Sequence, residues 1–302
     1  MRSVLVMITP PKLSPANLAA LFPDFSNIVE IGSGGFKTVY RAEFLGKSEV
    51  IKVIAIPLTD GSNDQERYRD ECLQRVRREV NILNQCATPY MVKLGTLPLK
   101  GYQVGQSHYA IYSEEFLPGP DLRELIRGQG VLPDEEEAKK LMNCLLRAVK
   151  ELWSRQYVHR DIKPANVIKL NDESRPFVLI DLGIAFGLQE TGITVGGAPC
   201  TLRYLAPEMA NPNFRASLDY RSDLYTIALT VFEYAAGRHP IARDSDDQIH
   251  TISRALTAAP KHLRDERPTY SVEFCNLIDQ LLKKKPALRP ANLDHLIQVT
   301  QS

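Results

Sequence analysis

The chain has 302 residues, 44% of them hydrophobic and 24% charged, which is the composition of a folded protein with room for one large or two small domains. Its 37 lysines and arginines nearly balance 36 aspartates and glutamates, and a formal net charge of +1 excludes a global field that gathers nucleic acid or anionic membrane. The five cysteines are odd in number and form no C-x-x-C pair, so the spacing argues against a disulfide framework or zinc site and for a reducing, cytoplasmic setting.

Taken in order, the run Val4 to Ile8 ends at Pro10-Pro11 and is too short for a signal segment, so it reads as a short strand or packing arm within an N-terminal extension, residues 1–26. Ser14 followed by Pro15 predicts the start of a short helix reaching Leu21. Ile28 to Ile31, Thr38 to Phe44 and Glu49 to Ile56 are β-branched runs separated by Gly-rich or Lys-Gly turns, an antiparallel meander. Thr59 to Gln65 reads as a loop, and Glu66 to Leu83 as a helix with Glu79 on its apolar face. Met91 to Leu99 and His108 to Phe116 read as two more strands, and Leu117-Pro118-Gly119-Pro120 marks a break beyond which helices dominate.

Past the break, Pro133 and the acidic run Asp134 to Glu137 open a helix with apolar positions at Ala138, Leu141, Leu145, Ala148 and Leu152. A hairpin follows, Asn166 to Leu170 with Pro176 to Ile180, then a long polar loop over residues 183–203. Leu224 to Ala236 is apolar nearly all round and stops at Gly237, the pattern of a central buried helix, and it falls short of the ~18 residues that a membrane span needs. Helical patterns at Gln248 to Leu256, Val272 to Leu282 and Leu293 to Val299 complete the chain.

Several residues in this pattern carry chemistry. Ile31-Gly32-Ser33-Gly34-Gly35, running on to Val39, is a strand-turn-strand glycine loop whose backbone N–H groups could approach phosphates from above, with Val39 packing on a flat ring; a glycine-rich hairpin of purely structural purpose has the same look. Lys52 lies in a strand apolar on both faces and needs a partner, for which Glu79 is the natural carboxylate; the pair would hold the ammonium on the α- and β-phosphates of a nucleotide. In His159-Arg160-Asp161-Ile162-Lys163-Pro164-Ala165-Asn166, Asp161 would accept or orient a substrate hydroxyl and Lys163 would neutralise charge on a transferred phosphoryl group. Asn166 and Asp181 are hard oxygen ligands suited to magnesium, and His159 reads as a structural ring packed under the loop.

With these residues in place, the sequence resembles a eukaryotic-type Ser/Thr protein kinase of the Hanks type from Ile28 to Pro290, the signature residues following in order through Gly183 and Ala206-Pro207-Glu208. The resemblance implies an α+β, bilobal fold: an N-lobe over residues 27–117 with a five-stranded antiparallel sheet and one main helix, and a mainly helical C-lobe over residues 118–302. It implies ATP and Mg2+, with adenine contacts at Glu115 and Leu117, which puts Glu114 at the gatekeeper position, an unusual place for a carboxylate. It also implies that Glu208 pairs with Arg289, that Asp223 braces the catalytic loop through backbone N–H groups, that Lys163 with Thr201 marks the serine/threonine branch, and that Arg160 receives a phosphorylated Thr191 or Thr194.

The departures are few. Lys37 replaces the third loop glycine and is read as pointing to solvent; Leu182 replaces the phenylalanine after the metal-binding aspartate; Cys200 and Ala228 replace common glycines. The expected activity is transfer of the γ-phosphoryl group of ATP to a Ser/Thr hydroxyl of protein substrates, with self-association for autophosphorylation, and with neither nucleic acid nor membrane as partner. The alternatives are a nucleotide-binding pseudokinase scaffold and a small-molecule kinase; a peptide platform at Ala206-Pro207-Glu208 argues against the second.

Overall fold

The computed structural model describes residues 10–34, 36–57, 63–128, 130–182, 186–187, 202–211 and 218–301. The expectations on Val4 to Ile8, Gly35, Gly183, Thr191, Thr194, Cys200 and Thr201 lie outside the described residues, as does most of the expected loop at 59–65. The chain divides into two compact units, one comprising residues 1–85 and 92–117, the other residues 86–91 and 118–302.

In the first unit, Ser14 caps α1 (Pro15–Leu21), its hydroxyl accepting the N–H of Asn17 while the Asn17 side chain accepts the N–H of Ser14. Strands β1 (Phe25–Gly34), β2 (Lys37–Phe44), β3 (Lys47–Ile56), β4 (Lys100–Val104) and β5 (Ser107–Glu115) form an antiparallel sheet in the order β1-β2-β3-β5-β4. Alternation along β2 and β3 divides the sheet into two faces. Tyr40, Ala42, Ile51, Val53, Tyr109 and Ile111 bury against Leu13, Leu18 and Phe22 of the N-terminal segment. The arm is also tied down by its backbone: Tyr109 Oη donates to the Pro11 carbonyl at 2.7 Å and Tyr40 Oη donates to that of Leu13. The opposite face, with Ile54, Ile56, Ala110 and Tyr112, packs on Leu73, Val76 and Val80 of α2 (Asn63–Gln85), which begins three residues earlier than the apolar periodicity suggests.

The expected strand at Met91 to Leu99 is corrected. The strand beside β5 is β4, and residues 92–99 follow β5 only irregularly, with a single isolated bridge at Leu94 and Glu114. The cause is side-chain competition for ladder hydrogen bonds. The Thr96 N–H is taken by the buried Glu49 carboxylate at 3.0 Å and the Leu97 N–H by Ser113 Oγ at 2.8 Å. Ser113 Oγ itself donates to Glu49 at 2.6 Å. Gly95 is the residue that lets the segment in, since a Cβ there would stand 2.4 Å from Ser113 Oγ and 2.5 Å from Glu49 Oε2.

The second unit opens with α3 (Leu122–Arg127), capped by Asp121 and not anticipated from periodicity because it is under two turns long. Asp134 caps α4 (Glu135–Trp153), whose expected apolar positions are all buried. Short strand β6 (Tyr157–Val158) pairs with β9 (Phe186–Gly187), and β7 (Val167–Lys169) forms the expected hairpin with β8 (Phe177–Leu179). Residues 86–91 lie along β8, the Leu179 N–H donating to the Tyr90 carbonyl at 2.9 Å. At the centre, α5 (Arg221–Ala236) is buried on nearly every side and ends where Gly237 adopts φ 69°, a left-handed C-cap that glycine takes at no steric cost. Helices α6 (Gln248–Thr257), α7 (Leu263–Glu266), α8 (Val272–Leu281) and α9 (Leu293–Val299) follow.

Candidate active site

The first unit carries the glycine loop and the buried lysine. Ile31, Gly32, Ser33 and Gly34 end β1, with Gly32 opposite Val39 and Ile31 in a bulge. Neither Gly32 nor Gly34 has a positive φ, and a Cβ would meet only Val39 Cβ at 4.0 Å on the former and nothing within 4 Å on the latter. Backbone strain and crowding therefore do not require glycine here, and what the absent side chains preserve is access to the backbone. Lys12 Nζ reaches this loop from the N-terminal arm, donating to Ser33 Oγ at 2.8 Å and to Glu30 at 2.9 Å.

Lys52 lies opposite Val39 on one side and Tyr112 on the other, so all three side chains leave the sheet on the α2 face. Its ammonium is 3.0 Å from Glu79 of α2, and both residues are buried. A second carboxylate is present: Glu114 Oε1 is 2.5 Å from Lys52 Nζ, with Glu114 only 3% exposed. Burial pushes the Glu114 carboxyl above the usual carboxylate range; Lys52 pulls it down and Glu79 pushes it up. Lys37 is half-buried and shares the face of Val39 and Lys52, and its charge also acts on Glu114, so it is not simply turned to solvent as its sequence position suggested. Glu115 ends β5, its N–H donating to the Lys93 carbonyl at 2.9 Å, and Leu117 follows in a buried coil.

In the second unit the loop from His159 to Asn166 is held from below by Asp223, in the first turn of α5. Its two carboxylate oxygens accept the N–H groups of His159 and Arg160, each at 2.8 Å. Burial pushes Asp223 up to about 7 while those two N–H donors pull it down. His159 is fully buried and its Nδ1 accepts the Asp161 N–H at 3.2 Å, so the ring is neutral with its proton on Nε2. Burial accordingly depresses its pKa to about 4. This is a structural histidine that sets the Asp161 backbone.

Asp161 is the focus of this loop. Its Oδ2 accepts from Lys163 Nζ at 2.7 Å and from Asn166 Nδ2 at 3.2 Å, and the same amide nitrogen donates to the Asp161 carbonyl at 2.9 Å. Burial raises the Asp161 pKa, opposed by Lys163 and assisted by Asp181. Its other oxygen, Oδ1, is buried without a hydrogen-bond partner among the described residues. An acceptor left open in this way is costly until a donor reaches it. Asn166 commits its amide nitrogen to Asp161, which leaves its oxygen to be offered elsewhere, and the Ile180 N–H donating to the Asn166 carbonyl at 2.8 Å places Asp181 next in the chain. Arg160 and Asp181 adopt φ 71° and 66°, left-handed conformations that non-glycine residues keep only where the surroundings over-determine them. Oxygen donors from an amide and a carboxylate suit a hard divalent cation. Among the described residues no cluster of three His, Cys, Asp or Glu forms a self-sufficient metal cage.

Away from the loop, Arg289 forms a bidentate pair with Glu208, Nη1 to Oε1 at 2.7 Å and Nη2 to Oε2 at 2.9 Å, and Ser222 Oγ donates to the same carboxylate at 2.7 Å. The Arg289 side chain is fully buried and its remaining donors go to the carbonyls of Lys283, Lys284 and Arg221. The sequence left Glu114 without a partner; its pairing with Lys52 depends on the β3–β5 register, which sets Val50 opposite Glu114, and only the alternation of Ala110, Tyr112 and Glu114 on one face hints at it.

Comparison with known proteins agrees with this geometry. A family model described as protein kinase domain matches residues 25–300. The chain is 30% identical over 275 residues to the dual specificity mitogen-activated protein kinase kinase mek-1 of Caenorhabditis elegans, an alignment covering 90% of this chain and 71% of that protein. It is 31% identical over 243 residues to the serine/threonine-protein kinase PrkC of Bacillus subtilis, covering 79% of this chain and 33% of that protein. It is 31% identical over 281 residues to a probable myosin light chain kinase of Dictyostelium discoideum, covering 91% and 53% respectively. This chain belongs to the protein kinase family. It spans only a third to a half of the length of the latter two relatives.

Proposed function

We propose that the chain is an ATP- and magnesium-dependent protein serine/threonine kinase that transfers the γ-phosphoryl group to hydroxyls of protein substrates, itself included. The observation that carries this reading is Asp161 Oδ1, a buried acceptor with no partner among the described residues, beside an Oδ2 already held by Lys163 and Asn166. A substrate hydroxyl is the donor that this oxygen lacks. Asp161 orients the hydroxyl and takes its proton, and Lys163 offsets charge on the group in transit. Asn166 and Asp181 would hold magnesium, which supplies charge neutralisation on the nucleotide phosphates. Residues 27–117 serve as nucleotide lobe: Ile31 to Val39 lie over the phosphates, Lys52 with Glu79 meets the α- and β-phosphates, and Glu115 and Leu117 contact adenine. Residues 118–302 supply catalysis and the substrate platform, and residues 1–26 are an extension whose described part braces the nucleotide-lobe sheet.

The serine/threonine preference is supported by Lys163 in the catalytic loop and by the likeness to the serine/threonine-protein kinase PrkC; the likeness to a dual specificity kinase makes tyrosine the acceptor to check. No helix among the described residues is long and apolar enough to cross a membrane. The cysteine spacing favours a cytoplasmic setting. The contact between Lys52 and Glu114 favours the second reading, a nucleotide-binding scaffold with little transferase activity. Radiolabel transfer from ATP separates the two: wild type should label a generic protein substrate at least ~10³-fold faster than Asp161→Ala. Equal labelling by both would overturn the enzyme.

A further inference from the structure

Glu114 has no task in the reading above, yet it is among the most enclosed ionisable residues of the first unit. Its carboxylate stands closer to the Lys52 ammonium, 2.5 Å, than does that of Glu79, 3.0 Å. The charged groups acting on it come from three neighbouring elements, Lys52 from β3, Glu79 from α2 and Lys37 from β2, while Tyr112 on β5 faces the ammonium, its ring centroid 5.6 Å from Lys52 Nζ. Two carboxylates thus share one ammonium where exposure is 5% or less for Lys52, Glu79 and Glu114 alike.

A polyphosphate that recruits Lys52 competes with one of these carboxylates. Glu79 approaches from a helix, whereas Glu114 sits near the C-terminal end of β5, its backbone held between Val50 of β3 and Leu94 of the 92–99 segment, and follows the ammonium outward less readily. Once Lys52 turns to phosphate, Glu114 is a buried anion facing Glu79 and the phosphates together. A buried carboxylate stripped of its cation relieves that cost by taking up a proton. The upward displacement of its pKa by burial and by Glu79 already runs in this direction.

We propose that Glu114 is a positioning residue for Lys52 that hands the ammonium to the nucleotide phosphates by taking up one proton from solvent. Nucleotide binding is then proton-coupled: the Lys52 Nζ–Glu114 ion pair breaks, the Lys52–phosphate pair forms, and the proton ends on Glu114. The inference rests on the assignment of Lys52 to phosphate made above. Its consequence is that this chain binds nucleotide more tightly as pH falls, through a carboxylate rather than through the nucleotide alone.

The test is calorimetric titration of magnesium ADP into wild type, Glu114→Gln and Glu114→Met, each in buffers of different ionisation enthalpy. Any proton exchanged by the ligand itself is common to all three, so the difference isolates Glu114. Wild type should take up more protons per nucleotide than either variant, up to one, and its affinity should fall with rising pH more steeply than that of Glu114→Gln. The apolar Glu114→Met keeps the comparison valid if the glutamine variant is poorly folded. Equal proton uptake in all three proteins overturns the inference while leaving the kinase reading intact. Absence of binding by all three overturns the kinase reading and this inference with it.

Discussion

Lys52 in the first unit and the loop that bears Asp161 in the second are held by different means. In the first, the Lys52 ammonium is met by side chains, among them two carboxylates from α2 and β5 and the face of Tyr112. In the second, the loop that bears Asp161 is fixed by backbone, since Asp223 accepts two main-chain N–H groups and His159 accepts a third. Side-chain partners can be exchanged when a ligand arrives, whereas a carboxylate bound to main-chain amides fixes the path of the chain. The difference suits the roles proposed above, an ammonium that changes partner when phosphate binds and a carboxylate that is positioned beforehand.

If that contrast is right, removing the brace should hurt most. Asp223→Ala strands two buried N–H groups and should destabilise the protein by about 2–6 kcal/mol, with phosphoryl transfer falling in parallel. Urea unfolding midpoints measure the first and radiolabel transfer the second. A loss under ~1 kcal/mol would mean that the amides find other acceptors and that the loop is not held through Asp223.

The lysine cluster should behave differently, because its cost can be repaired. Lys52→Met leaves two buried carboxylates without their ammonium and should destabilise by about 3–5 kcal/mol. Replacing Glu114 by Leu in the same protein removes one of the stranded charges and should restore a good part of that loss. A double-mutant cycle by urea unfolding gives the coupling; strictly additive effects would show that Glu114 and Lys52 do not share a charge in solution.

Acid provides a milder test of the second unit. His159 is buried and neutral, with its pKa depressed from 6.5 to about 4. A depressed folded value means that the stability it contributes is fully present above the unfolded pKa and is lost as pH falls from about 6.5 toward about 4, a total of about 3 kcal/mol. His239 is also depressed by burial, to about 3, and adds to the same limb. Thermal melts from pH 7 to pH 4 should therefore show a steep decline that His159→Phe flattens in part. An unchanged slope in that variant would assign the acid sensitivity elsewhere.

Much of this architecture was legible because it is local. Ser14-Pro15 and Pro133-Asp134 announce helix starts within a few residues, and Gly237 announces a stop. The cluster around Asp161 was legible for another reason: Lys163 and Asn166 stand two and five positions beyond it in one short loop and converge on its carboxylate. What escaped the sequence is long-range. Met91 to Leu99 has the composition of a strand, but its amides are claimed by Glu49 and Ser113, residues 47 and 16 positions away from the ones they bind. Glu114 met its partner 62 residues upstream through a strand register that no local pattern records.

The N-terminal arm gives the smallest and most local effect, and it extends the comparison within the unit that bears Lys52. Ser14 and Asn17 cap α1 reciprocally, so Ser14→Ala should cost about 1 kcal/mol by urea unfolding. Leu18, from that helix, is wholly buried against the sheet, so loosening the helix loosens the arm. Lys12 in the same arm bonds Ser33 of the glycine loop. The cap variant should therefore raise the KM for ATP by about twofold or less, with kcat unchanged, since only a solvent-exposed tether is weakened. A fall in kcat with KM fixed would show instead that the arm acts on the step of transfer.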